Sequence, residues 1–514
     1  MNFIKMHLYN NYGQLCGNYP RNRLKDNLVF YSETEKKSYY VRLQRKAKQL
    51  TNKLGKQKAL AFAKTIIKNT VEPRILTDDA GERFPIGMVI DVMDLLNDYE
   101  IHVIDHRTLG KKELTVPIEP HESTPPIRDY QQKAVDIAVK ERNGIIGIAT
   151  AGGKTRIALE IIRKINRPFI FATAKDRLVT QFAFDLYEYV TGRYMDEKIT
   201  SLTGTTFVSR LNNIMLKQFG IGLKCIGPNG VITTYHSLHK FAKDPYPVLI
   251  ADECHHVAAK GFFANVAQCQ SVVRIGMTAS VNDRSDKLDV LNYAFLGPLI
   301  YRKTYEELRK EKYVSTAEVQ LWPFDHFHEG EDLEKPQDIE DVCIVDNNKR
   351  NRFILNILAN LSPHPVLVFV KKIRHGELLE SLCTRHGIKA KFYSAENQDT
   401  DLIHWIKKPD GIIIATKILD TGMNSPSLQF ALNAAGGRSS IAAEQQSGRL
   451  VRRTEKKRFA TFIDIDDRNH RILHSQTVER TRKYVELGYE ITSIEMQLAE
   501  NLPGPTIDNK FSMI

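Results

Sequence analysis

The chain has 514 residues, of which 42% are hydrophobic and 26% charged, and a formal net charge of +12. That length and apolar content exclude a disordered chain and leave room for about three domains of ~150 residues, while the basic balance calls for an anionic partner. Six dispersed cysteines with no C-x-x-C pair exclude a disulfide framework and a cysteine zinc site. No apolar run approaches the ~18 residues needed to cross a bilayer, so a soluble, cytoplasmic protein is expected.

The charge is uneven along the chain. Residues 1–70 carry fifteen Lys and Arg against Asp26, Glu33 and Glu35, an excess equal to that of the whole chain. Tyr31, Tyr39, Tyr40, Leu43, Leu50 and Leu54 are interleaved with these cations, which points to a folded module rather than a solvated tail. Residues 1–115 are therefore read as a small basic N-terminal α+β module suited to an anionic partner. Four prolines from Pro117 to Pro126 mark residues 116–126 as a linker.

From about residue 144 onward, short β-branched runs alternate with longer amphipathic stretches, the pattern of parallel sheets flanked by helices. Runs 144–150, 168–173, 231–234, 248–252 and 272–277 read as the strands of a first α/β domain, residues 127–304. A second domain, residues 305–470, opens on a helical stretch at 305–312 and contains strand candidates at 365–370, 411–416, 429–433 and 459–463. The acidic stretch 325–341 reads as a surface insertion, and residues 471–514 as a helical extension and tail.

Ala149-Thr150-Ala151-Gly152-Gly153-Lys154-Thr155 follows a strand and opens a helix, so backbone N–H groups can cradle phosphates there. Lys154 would neutralise the β- and γ-phosphates of ATP, and the Thr155 hydroxyl would bind Mg²⁺. The strict first glycine of this loop is replaced by Ile148. A second strand ends in Asp252-Glu253-Cys254-His255, and adjacent carboxylates at the end of an apolar strand are costly unless a cation sits beside them. Asp252 would then hold Mg²⁺ and Glu253 would orient and deprotonate the attacking water. Cys254 and His255 lack partners at zinc spacing.

Over residues 127–453 these motifs, in this order, resemble those of superfamily 2 helicases and translocases. The resemblance implies two tandem RecA-like domains, ATP hydrolysis with Mg²⁺, and a nucleic-acid track. Arg128-Asp129-Tyr130-Gln131 looks like the element in which Arg128 and Gln131 read adenine. The 173–178 and 233–235 segments resemble strand-holding motifs, with Thr173, Arg177 and Thr234 as phosphate contacts. Thr278-Ala279-Ser280 resembles the motif that couples hydrolysis to domain movement. In the second half, Lys371 and Thr416 are implied nucleic-acid contacts and Gly422 and Asn424 nucleotide contacts, with Asn424 standing where the family usually has Asp. Gln445 through Arg452 resembles Q-x-x-G-R-x-x-R, which implies coupling by Gln445 and arginine fingers at Arg449 and Arg452, the latter worth about 10³–10⁵ in rate.

Within the superfamily the chain is most similar to phage UvsW-type helicases, on the D-E-C-H box, the phosphate-loop style, the length, and an N-terminal module bearing 74–76, 84–87 and 103–105. That likeness implies that the module of residues 1–115 binds duplex DNA, and that the chain serves branch migration or fork remodelling in replication, recombination or repair, in a host cytoplasm if the source is a phage. It names no protein partner and is compatible with a monomer. Two alternatives stay open: the motor subunit of a restriction or nuclease system, for which Asp26, Glu35 and Lys37 superficially resemble a nuclease core, and an RNA helicase.

Overall fold

The computed structural model describes residues 3–31, 73–195, 204–259, 261–281, 288–325, 333, 335–361, 364–394, 411–416, 428–437 and 459–493. The chain divides into two compact units, residues 1–148 with 153–302, and residues 149–152 with 303–514.

The first unit begins with the α+β module. Strands β1 (Phe3–Leu8) and β2 (Tyr12–Cys16) form an antiparallel pair; α1 (Arg21–Asn27), β3 (Val29–Tyr31), β4 (Pro73–Ile75), β5 (Arg83–Pro85), α2 (Val89–Leu95) and β6 (Glu100–Asp105) follow. The sheet order is β5-β2-β1-β6, with β6 parallel to β1, while β3 and β4 pair separately. Alternation sets the faces: Ile4, Met6 and Leu8 are buried with Leu24 of α1 and Val92 of α2, whereas Lys5 is exposed. Most cations of the basic N-terminal run, from Lys36 to Lys68, lie outside the described residues.

The module's core is continuous with that of the parallel-sheet domain that follows, through Leu291, Ala294 and Leu296. Gly87 permits this close approach: a Cβ there would lie 2.0 Å from the Tyr293 carbonyl oxygen. The proline-bearing stretch 116–126 is an ordered strap on the domain surface. Asn229 Oδ1 accepts from the Thr115 N–H (2.6 Å), its Nδ2 donates to the Val116 carbonyl (3.1 Å), and the His121 N–H donates to the Tyr189 carbonyl (2.8 Å). Prolines supply extended backbone with few donors to satisfy, and Ile118 anchors it at 1% exposure.

The domain itself contains α3 (Asp129–Glu141), β7 (Asn143–Ile148), α4 (Lys154–Ile165), β8 (Phe169–Thr173), α5 (Asp176–Thr191), α6 (Gly204–Phe219), β9 (Ile221–Leu223), β10 (Gly230–Thr234), β11 (Val248–Asp252), α7 (Phe262–Ala267), β12 (Val273–Thr278), α8 (Val290–Leu296) and β13 (Leu299–Lys303). The sheet order is β13-β7-β12-β11-β8-β10-β9, and every pairing from β7 to β9 is parallel. Strands β8 and β10 are buried at every position, as expected for strands covered on both faces.

The second unit holds α9 (Tyr305–Lys310), β14 (Thr316–Phe324), α10 (Pro336–Glu340), α11 (Asn348–Leu361), β15 (Val366–Phe369), α12 (Ile373–Arg385), β16 (Ala390–Tyr393), β17 (Ile412–Ala415), β18 (Phe430–Asn433), β19 (Phe459–Asp467), α13 (Arg471–Glu486) and β20 (Glu490–Ser493). Its sheet, β16-β17-β15-β18-β19-β14-β20, is parallel throughout. The two parallel sheets with flanking helices are tandem RecA-like domains. The acidic stretch 325–341 read as a surface insertion reaches the core at Ile339, and the chain just beyond it is buried at Cys343, Ile344 and Val345; among its acids Asp341 faces a cation, with Lys372 Nζ 2.5 Å from its Oδ1. Charge frequency along the sequence hid this short apolar stripe.

Candidate active site

The phosphate loop leaves β7 and enters α4 through two left-handed residues, Ala151 (φ +67°) and Gly153 (φ +78°). Such turns point successive N–H groups to one side, which suits an anion. A Cβ at Gly153 would lie 2.4 Å from Gln131 Nε2, so only glycine lets that amide pack over the loop. Gln131 is itself fixed, since its Oε1 accepts from the Arg128 N–H at 3.1 Å, and Arg128 Nη1 donates to the Tyr130 hydroxyl at 3.2 Å. Lys154 and Thr155 open α4 immediately afterwards.

Strand β11 delivers Asp252 to the same edge of the sheet. Glu253 then takes a left-handed conformation (φ +51°) that turns the chain out of the strand and brings its Oε1 within 3.5 Å of Lys154 Nζ. Burial, reinforced by the neighbouring Glu253 charge, pushes the Asp252 carboxyl up to about 7. Burial acts on Glu253 in the same direction, but the Lys154 ammonium and the His255 and His256 rings outweigh it and hold that carboxyl below the usual range. One ammonium thus serves adjacent carboxylates, and the site fits a further cation. Among the described residues no group of three or more His, Cys, Asp or Glu could hold a metal alone. Magnesium needs no such cage, because it binds through one or two carboxylates plus substrate phosphates.

Two hydrogen-bonded links leave this centre. His255 Nδ1 lies 3.0 Å from Thr278 Oγ1, which also accepts from the Ser280 N–H at 3.1 Å, so the 252–255 and 278–280 segments are directly joined. On the other side the Tyr235 hydroxyl donates to the Asp252 carbonyl at 2.8 Å. Tyr235 belongs to the 233–235 segment expected to hold a strand, and nothing in the sequence signals its bond to Asp252. A cavity of about 240 Å³ opens beside Thr155 and Arg156, between α4, α5 and the strap, with Pro125, Asp185 and Tyr189 in its wall.

The expected nucleic-acid contacts are more scattered. Thr173 and Thr234 pair across the ends of β8 and β10, and both residues are buried, at 0% and 6% exposure. Arg177, in the first turn of α5, is partly exposed. In the second unit Lys371 is half-exposed and paired with Glu340, and Thr416 is partly exposed at the end of β17. Gly422, Asn424, Gln445, Arg449 and Arg452 lie outside the described residues, as do Glu35 and Lys37.

Comparison with known proteins accounts for this arrangement. Residues 124–283 match the family model described as type III restriction enzyme, res subunit, and residues 349–454 match the helicase conserved C-terminal domain. The chain belongs to the superfamily 2 helicases. The helicase is 24% identical over 390 residues to the DNA 3'-5' translocase XPB2 of Sulfurisphaera tokodaii, covering 66% of this chain and 81% of that protein. To the ATP-dependent DNA helicase uvsW of Enterobacteria phage T4 it is 23% identical over 397 residues, covering 72% and 73%, which agrees with the UvsW-type likeness of its motifs. A putative HsdR subunit of a type I restriction enzyme from Vibrio vulnificus shares the fold at a TM-score of 0.52 and 17% identity, over 73% of this chain and 69% of that one. The helicase is thus an ATP-driven enzyme. No helix among its described residues is long and apolar enough to cross a membrane.

Proposed function

We propose that this helicase is an ATP- and Mg²⁺-dependent DNA translocase that unwinds or branch-migrates forked and branched DNA. The observation that carries the reading is the convergence of Lys154 on Glu253, beside Asp252, at the mouth of a left-handed phosphate loop. The names of the relatives, a DNA translocase and a DNA helicase, favour DNA over RNA.

In this assignment the backbone of Ala149, Thr150, Ala151, Gly152 and Gly153 cradles the phosphates and Lys154 neutralises them. Thr155 and Asp252 hold Mg²⁺, which when bound draws charge from the transferring phosphoryl group. Glu253 orients the attacking water and takes its proton, a role suited to a carboxyl that Lys154 keeps ionised. Arg128 and Gln131 face the base, Arg449 and Arg452 are the arginine fingers, and Thr278, Ser280 and Gln445 couple hydrolysis to movement. Arg177, Lys371 and Thr416 grip the strand.

Residues 1–115 form the DNA-holding module. In support, His7, His106, Tyr9 and Tyr12 stack in a column with ring centroids 5.2, 5.0 and 4.8 Å apart, and Arg83 lies over Tyr12 at 5.1 Å. His106 and Arg83 at the surface suit bases and phosphates. ATP-dependent remodelling compared on forks, Holliday junctions, partial duplexes and RNA duplexes tests the proposal. Activity on branched DNA is expected; activity confined to RNA, or Mg²⁺-dependent cleavage without ATP, selects one of the alternatives.

A further inference from the structure

Tyr235 is fully buried, yet its hydroxyl reaches a backbone carbonyl seventeen residues away, that of Asp252, at 2.8 Å. This peptide is a special one. Its nitrogen side is Glu253, whose left-handed φ of +51° is a costly conformation for a side-chain-bearing residue and persists only where its surroundings hold it. Fixing the Asp252 carbonyl fixes the plane from which both carboxylates project. The other end of the contact is equally specific. Tyr235 directly follows the Thr233-Thr234 end of β10, its N–H donates to the Thr173 carbonyl at 2.8 Å, and its carbonyl accepts from Asn265 Nδ2 at 2.9 Å. Thr173 and Thr233 carry buried hydroxyls with no hydrogen-bond partner among the described residues, and the Thr234 hydroxyl accepts a long 3.4 Å bond from the Ser237 N–H, so side-chain bonds hold the β8 and β10 ends loosely.

We infer that Tyr235 is a positioning residue that transmits engagement of nucleic acid at the ends of β8 and β10 to the hydrolytic carboxylate Glu253. A shift of the β10 end moves the tyrosine ring as a rigid lever, and the hydroxyl turns the Asp252–Glu253 peptide with it. Burial of the ring makes the lever effective, because close packing keeps it from swinging aside as the strand end moves. This inference rests on the proposed ATP-driven DNA motor and adds the route by which DNA governs the rate of hydrolysis.

The test is Tyr235→Phe in the full chain, which keeps the ring and removes only the hydroxyl. Three quantities are read: ATP turnover with and without oligo-dT, the ATP KM, and the affinity for fluorescein-labelled oligo-dT by anisotropy. The ratio of turnover with DNA to turnover without should fall at least fivefold, with the ATP KM and the DNA affinity each within about twofold of wild type. A ratio that stays within twofold overturns the inference. So does an equal loss in both rates, which would make Tyr235 a plain support of the site, or a matching loss of DNA affinity, which would make it part of the grip. Asn265→Ala, which loosens the tyrosine's backbone while sparing the hydroxyl, should lower the ratio more mildly and guards against misfolding of the first variant. Wild-type turnover indifferent to every DNA defeats the DNA-motor reading itself, a result distinct from stimulation that survives in Tyr235→Phe.

Discussion

Each unit carries acidic side chains on or beside a strand of its parallel sheet, and the two treat them in opposite ways. In the first unit one ammonium, Lys154, lies 3.5 Å from Glu253 and acts on Asp252 through its charge alone, and burial lifts Asp252 to about 7. In the second, Asp467 is gripped by Arg350 through two bonds of 2.6 and 3.0 Å. Asp464 accepts from Arg480 at 2.8 and 3.0 Å, from the Tyr484 hydroxyl at 3.0 Å and from Asn433 Nδ2 at 2.9 Å. Both arginines also bind the chain leaving β18, Arg350 at the Ala434 carbonyl (2.9 Å) and Arg480 at the Gly437 carbonyl. Undercompensated buried charge stores free energy that a cationic ligand can release, whereas compensated charge fixes backbone. The first pattern marks the chemistry and the second marks the scaffold.

Mutation should separate the two kinds of carboxylate most sharply. Glu253→Gln and Lys154→Ala are expected to lower ATP turnover by about 10²–10⁴ while leaving the melting temperature unchanged or slightly raised in Glu253→Gln, where a like charge beside Asp252 disappears. Arg350→Ala should do the reverse, destabilising the second unit by about 3–5 kcal/mol because Asp467 is left buried and unpaired. Denaturant titration reads that loss, and the joint change Arg350→Met with Asp467→Leu should recover most of it. A Glu253→Gln protein that unfolds as readily as Arg350→Ala would erase the distinction.

The sequence made the first pattern legible and hid the second. Central strands such as β8 and β11 are apolar at nearly every position because helices cover both faces, and the motifs at their ends sit at fixed chain positions, so Lys154, Asp252 and Glu253 could be named before they were seen together. Arg350 and Asp467 are 117 residues apart, and nothing local distinguishes a buried arginine from a solvated one. Strand β14, Thr316–Phe324, contains Pro323 and two acceptor-bearing polar residues, Glu318 and Gln320, and gave no strand signal, although it pairs with β19 over its whole length. The short strands β9, β16 and β20 have three or four residues each, too few for a period to show.

A milder contrast lies in His375 of α12. It is 1% exposed, with Nε2 3.0 Å from Asn351 Oδ1, and burial, helped by the Arg350 and Arg374 charges, pushes it down from 6.5 to about 3. Its folded value lies below its unfolded one, so its contribution is complete above pH 6.5 and is lost as pH falls toward 3. At pH 5 the loss should reach about 2 kcal/mol. His375→Gln removes this titration, and the stability difference between pH 7.5 and pH 5 should shrink by roughly that amount. An unchanged difference would mean that the ring is hydrated in solution and does not belong with the compensated interior groups.

The smallest effect on stability is expected where charge is exposed. Lys371 is half-exposed and pairs with Glu340, whose other carboxylate oxygen is buried without a partner among the described residues. Surface pairs contribute about 1 kcal/mol or less, and Glu340 can relax toward solvent, so Lys371→Ala should barely shift unfolding. If Lys371 meets a phosphate in the DNA-bound helicase, the same change should weaken DNA binding uniformly across sequences and reduce the slope of log affinity against log salt by about 0.7–0.9. Equilibrium binding at several salt concentrations measures that slope. A slope equal to wild type would return Lys371 to the scaffold, as the partner that holds Glu340 and α10 against the sheet, and leave the grip of the second unit to Thr416 and to residues beyond those described.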